Sequence, residues 1–127
     1  MKQSFNVLMW DFNSDSIVHY DVMPYLRDCY KERVKRDKNY LRRKHPDTES
    51  NTYKEYYKTP VTLDEFKKFI KAESMYQYWA RCEYEMICHG WPVRKNDYKL
   101  DVHEQIMMNI DIIADILLKE TEKKKKL

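Results

Sequence analysis

The sequence predicts an α+β domain: a small antiparallel-containing sheet of about three strands with helices packed mainly on one face, in the order ββααβα. Three observations lead to it. Two short extended segments open the chain, separated only by the turn residues Asn13-Ser14-Asp15-Ser16. Helix-start signatures at Thr62 and Asp101 precede apolar residues at helical spacing. The segment from Trp79 to Pro92 alternates with period two.

Phe5 to Phe12 reads as a strand with apolar residues on both faces, the pattern of a central strand. Ile17 to Val22 is the second strand, and the short connection makes the pair an antiparallel hairpin. A helix follows Asp21, with Pro24 in its first turn, where a missing N–H removes no hydrogen bond. Leu26, Cys29, Tyr30 and Val34 form its apolar stripe, which Leu41 extends. Its later part is basic, poor in apolar residues, and projects beyond the core. Residues 45–60 read as a polar loop carrying Tyr53, Tyr56 and Tyr57.

Thr62-Leu63-Asp64-Glu65 is a capping box, in which the Thr62 hydroxyl takes one free amide and Glu65 reaches back to another. Leu63, Phe66, Phe69 and Ile70 give this second helix its apolar face, and it ends between Glu73 and Tyr78. In the third strand Ala80, Cys82, Tyr84, Met86 and Cys88 point one way. Arg81, Glu83, Glu85 and His89 point the other, with Ile87 among them. Asp101-Val102-His103-Glu104 opens the last helix with a second capping box. Val102, Ile106, Ile110, Ile113 and Leu117 share one face, which Ile112, Ile116 and Leu118 widen.

The 127 residues suit a single domain, 1–127, with a basic helical arm at about 31–44, the Tyr-containing loop at about 45–60 and a basic tail at 123–127. Three cysteines without a CxxC pair, no visible leader and no apolar run of membrane-spanning length predict free thiols in a reducing cytoplasm, with no membrane partner. A single glycine excludes Gly-rich phosphate loops and glycine-elbow hydrolases, so no nucleotide cofactor is expected.

The net charge of +3 hides an asymmetry. Lys31, Arg33, Lys35, Arg36, Lys38, Arg42, Arg43 and Lys44 stand against Glu32 and Asp37, a balance of +6, and Lys123 to Lys126 add +4. The rest of the chain therefore carries −7. Basic residues at this density suit phosphate contacts or an acidic protein groove. With Tyr40 and the tyrosines of 45–60 available to stack bases, they form the candidate binding set. The charges lie around most of the helix, and the competing reading is a solvated helix with a basic bias.

A second candidate lies on the third strand. Glu83 and Glu85, one strand repeat apart, with His89 and Asp11 of the first strand, could serve a metal-dependent nuclease. A polar strand face exposed to water, with Arg81 screening the acids, explains the same pattern. Cys29, Cys82 and Cys88 lie mostly on apolar faces and have no zinc-knuckle spacing, so they read as buried thiols and no metal site is assigned. A Cys88–His103 nucleophile pair has no more support than any Cys and His in one chain.

Four stretches, Phe5-Asn6-Val7 to Asp11-Phe12-Asn13, Tyr20-Asp21-Val22-Met23-Pro24-Tyr25-Leu26, Tyr78 to Glu85 and Asp101 to Ile106, resemble a family of small, uncharacterised proteins encoded by bacteriophages and prophages. The resemblance spans most of the chain outside 31–60 and carries no catalytic residues. It implies a phage accessory protein in a bacterial host's cytoplasm. By analogy with anti-defence factors, including CRISPR nuclease inhibitors, it implies a non-enzymatic partner of a host nucleoprotein or nucleic acid, engaged through the basic helix. The rivals are the metal-dependent nuclease and a phage protein that self-associates through exposed aromatics.

Overall fold

The computed structural model describes residues 2–11, 14, 16–44, 47–74 and 102–125. It begins with the expected hairpin. Strand β1 (Asn6–Asp11) pairs antiparallel with β2 (Ser16–Asp21), in a register that sets Val7 opposite Tyr20 and Leu8 opposite His19. Period-two alternation sorts the side chains. Val7 is buried with Tyr20 packed against the core, while Leu8 and Ile17 are exposed. The apolar residues on both faces of β1 suggest a central strand, but among the described residues the sheet has two strands only. The second edge of β1 is met by a side chain. The Gln105 carboxamide accepts from Leu8 N–H at 2.8 Å and donates to Leu8 C=O at 2.7 Å, reproducing the two bonds of a neighbouring strand.

Chain direction then reverses at one carboxylate. Asp21 Oδ1 accepts from both Phe5 N–H (3.0 Å) and Met23 N–H (3.1 Å), tying the start of β1 to the first turn of helix α1 (Met23–Arg42). Pro24 sits in that first turn, as its lack of a donor favours. Helix α1 buries Met23, Leu26, Cys29 and Arg33. It ends with Lys44 at φ 59°, a left-handed position usually given to glycine, while Lys44 N–H bonds Leu41 C=O.

Residues 45–60, expected as a loop, contain helix α2 (Asn51–Tyr56). Ser50 Oγ accepts from Tyr53 N–H at 3.1 Å and caps it. The Thr62 capping box stands as expected: Glu65 N–H donates to Thr62 Oγ1 and Thr62 N–H to Glu65 Oε1. It opens α3, described over 63–74. Burial pushes the Glu65 carboxyl up, but the Lys58 ammonium and the Thr62 donors outweigh it and hold the group below its usual range. The expected third strand, within 79–92, and the cap at Asp101 lie outside the described residues.

The final helix is two helices, α4 (Val102–Met108) and α5 (Ile110–Lys125), broken at Asn109. The Asn109 side-chain amide donates to the Gln105 carbonyl at 2.9 Å and satisfies it across the break. Ile106, Ile113 and Leu117 face the core as predicted, but Ile112, expected to widen that face, is 54% exposed. The described elements are thus β1, β2 and α1 to α5, an α+β arrangement. Phe66, Phe69 and Ile70 of α3 fill the centre between α1, α4, α5 and Val7. Phe66 stacks on Tyr30 at 5.9 Å and meets Phe69 edge-on at 6.4 Å.

Candidate functional site

Helix α1 is held along its length by polar contacts on its inner side. Near its start the Arg27 guanidinium grips both carboxylate oxygens of Glu120 on α5, at 2.8 and 3.0 Å. Two turns on, Arg33 is only 1% exposed. It pairs with Glu73 of α3 at 2.9 Å, donates to Lys58 C=O at 3.3 Å and lies 5.1 Å over the Phe69 ring. Its Nε is buried without a partner. One turn later Asp37 accepts from Tyr53 O–H at 2.7 Å and from Thr59 N–H at 3.0 Å. Burial and the Asp37 carboxylate push the Tyr53 phenol up to about 12.

These contacts divide the basic segment in two. Arg33 was expected to reach a partner; instead it is sealed in the interior by Glu73, the α2 segment and Phe69. Arg36 leans the same way, 3.9 Å from Glu73 and 3.5 Å from Tyr56 C=O, with its side chain 43% exposed. Lys31, Lys35, Lys38 and Arg42 are all exposed. Their spacing of four, three and four residues places them within about 60° of arc and along about 16 Å of the axis. Of the four, only Lys35 has a carboxylate neighbour among the described residues, Glu32 at 3.6 Å, and both groups are well exposed. Arg43 and Lys44 extend the exposed charge past the helix end, where cations also offset the C-terminal dipole. The exposed charges therefore do not surround the helix evenly: four of them form one stripe, with Arg36, Arg43 and Lys44 off it.

The tyrosines are placed differently from expectation. Tyr40 packs on Tyr53 at 4.9 Å and on Tyr57 at 4.8 Å, and Tyr53 is buried. The three rings clamp α2 onto α1, and Tyr40 and Tyr57 are half-buried. Tyr56 is exposed. It lines a cleft of about 560 Å³ with Tyr25, Asp28, Glu32, Arg36 and Glu73, beside the basic stripe, whose Lys35 pairs with Glu32. Cys29 lines the same cleft. Its thiol is pushed up to about 11, first by burial and further by the Glu73 carboxylate, so it is a poor nucleophile near neutrality.

Of the alternative carboxylate and histidine set, Glu83, Glu85 and His89 lie outside the described residues, as do Arg81, Cys82 and Cys88. Asp11 is in β1, paired with Ser16. Among the described residues no three His, Cys, Asp or Glu side chains are grouped to hold a metal ion. His103 Nδ1 lies 2.8 Å from the buried Ser74 hydroxyl, which also donates to Lys71 C=O. That contact joins α3 to α4, and Ser74, at 2% exposure, is closed to a substrate.

Sequence spacing carried the signal for Arg33. Leu26, Cys29, Arg33 and Asp37 continue one buried-face spacing, so both charges fall where apolar residues would be expected. Its partner Glu73 bears no comparable mark. No described helix is long and apolar enough to cross a membrane. Comparison of the chain with protein-family models, curated proteins and solved structures finds no match.

Proposed function

We propose that this protein is a non-enzymatic binding module whose basic stripe on α1 engages nucleic acid, free or carried by a nucleoprotein. The exposed line of Lys31, Lys35, Lys38 and Arg42 carries this reading. The other face of α1 is fixed by Glu120, Glu73, Tyr53 and Thr59, so the four cations are displayed on a backbone that needs no ordering on contact. Outside 31–44 and the tail lysines Lys123 to Lys126 the chain carries −7, which disfavours a polyanion there. The resemblance to phage-encoded proteins extends the reading to a host nucleoprotein, such as a CRISPR effector, as the partner in the bacterial cytoplasm.

The test is binding to mixed-sequence nucleic acid across a range of salt. Each phosphate contact made by the stripe steepens the dependence of log K on log salt by about 0.9. Replacing Lys31, Lys35, Lys38 and Arg42 together by Gln is expected to weaken binding and flatten that slope by about 3 to 4. The variant should keep its thermal midpoint, because none of the four supports the core. Binding that survives the fourfold change with its slope intact would place the interface elsewhere.

A further inference from the structure

We infer that the stripe selects double-stranded nucleic acid and reads its phosphate backbone without sequence preference, an inference that rests on the nucleic-acid reading above. The first ground is the match between a rigid line of charge and a rigid, dense polyanion. Along α1 the four cations follow one another at steps of about 6, 4.5 and 6 Å, set by the 1.5 Å rise per residue. A duplex presents a phosphate charge per about 1.7 Å of its axis, twice the density along either strand. A line of cations fixed in register gains most from the denser and stiffer of the two.

The second ground is the state of the tyrosines. Proteins that hold single strands generally offset the ordering of a flexible chain by stacking its bases on aromatic rings. Tyr40 packs at a tilt against both Tyr53 and Tyr57, and Tyr53 is buried. Tyr56 is exposed, but it stands across the cleft lined by Asp28 and Glu32. At about 100° per residue these two carboxylates fall between the stripe and Arg36. A strand running from the lysines to the Tyr56 ring would have to pass both carboxylates.

The third ground concerns sequence. Three of the four cations are lysines, point charges suited to phosphate rather than the planar forks that read a guanine edge. A lipid surface fits less well. The apolar face of α1, with Met23, Leu26 and Cys29, is turned into the core, and the exposed Leu41 is too little apolar surface to insert.

Fluorescence anisotropy with the full chain tests this directly. The probes are two unrelated mixed-sequence duplexes, each of their strands alone at the same length, and vesicles of phosphatidylglycerol and phosphatidylcholine. Duplexes are expected to bind about tenfold more tightly than single strands, both duplexes alike, since no ring stacks the free bases. Lys35→Gln with Lys38→Gln should weaken duplex binding. Single strands bound as tightly as duplexes, a marked preference between the duplexes, or vesicles bound as tightly as DNA would each overturn the inference. The first two would leave the nucleic-acid reading standing. Absence of binding to every nucleic acid probe would instead remove that reading and the inference with it.

Discussion

Arg33 shows how one residue changes role between sequence and structure. As a letter in a basic run it reads as a phosphate contact; in the fold it is a buried cation whose charge is met by Glu73 and the Phe69 ring. Removing one partner strands the other charge away from water, which costs about 3–5 kcal/mol, whereas removing both together costs far less. Arg33→Met is therefore expected to lower the urea midpoint sharply, and Arg33→Met combined with Glu73→Leu to recover most of the loss. A single variant as stable as the parent would show that Glu73 finds another partner. Charge reversal at Arg33 tests folding, not binding. Lys31, Lys35, Lys38 and Arg42 are the residues through which binding is tested.

Helix α2 depends on its surroundings. Six residues cannot hold a helix in water, because nucleation outweighs the few hydrogen bonds gained. It persists because Ser50 caps it and because Tyr53 and Tyr57 seat it against Tyr40. Ser50→Ala should cost about 1 kcal/mol, the usual worth of such a cap. Hydrogen exchange would show faster exchange at the Tyr53 and Tyr57 amides, with α3 unchanged. Equal loss of protection in both helices would mean that α2 unfolds only with the whole domain. Pro24, the Thr62 capping box and apolar spacing made α1, α3 and the final helical segment legible. The polar composition of 45–60 concealed α2, whose stability is tertiary. The break at Asn109 was hidden because the apolar spacing runs straight through it.

At the scale of the whole molecule, burial favours the protonated form of four groups among the described residues. Burial raises the Tyr25, Tyr30 and Tyr53 phenols and the Cys29 thiol, and the Asp37 carboxylate facing Tyr53 adds to the effect there. A raised value means that the folded state holds its proton more tightly than the unfolded chain. The associated stability is complete below the ordinary values of 9.0 for the thiol and 10.0 for the phenol. It declines as pH rises toward about 11 for Cys29 and about 12 for Tyr53. The denaturation midpoint is thus expected to hold steady up to about pH 9 and to fall beyond it. Tyr53→Phe and Cys29→Ala, each removing one such proton, should flatten that fall. A midpoint that climbs through this range would contradict the assignment.

Local order and charge were legible in the chain: the hairpin, the helix starts at Pro24 and Thr62, the apolar face of the last segment, and an excess of cations at 31–44. Each follows from short-range rules, such as alternation, capping and 3.6-residue spacing, that involve neighbours in sequence. Which cations stay in solvent is a different kind of property. It depends on Glu73, Tyr53 and Thr59, which lie 16 to 40 positions from the charges they meet. Those contacts draw Arg33 and Asp37 inward and lock the tyrosines together, leaving Lys31, Lys35, Lys38 and Arg42 in one exposed line. Burial and pairing are set by packing between distant segments, and no local pattern encodes the partner.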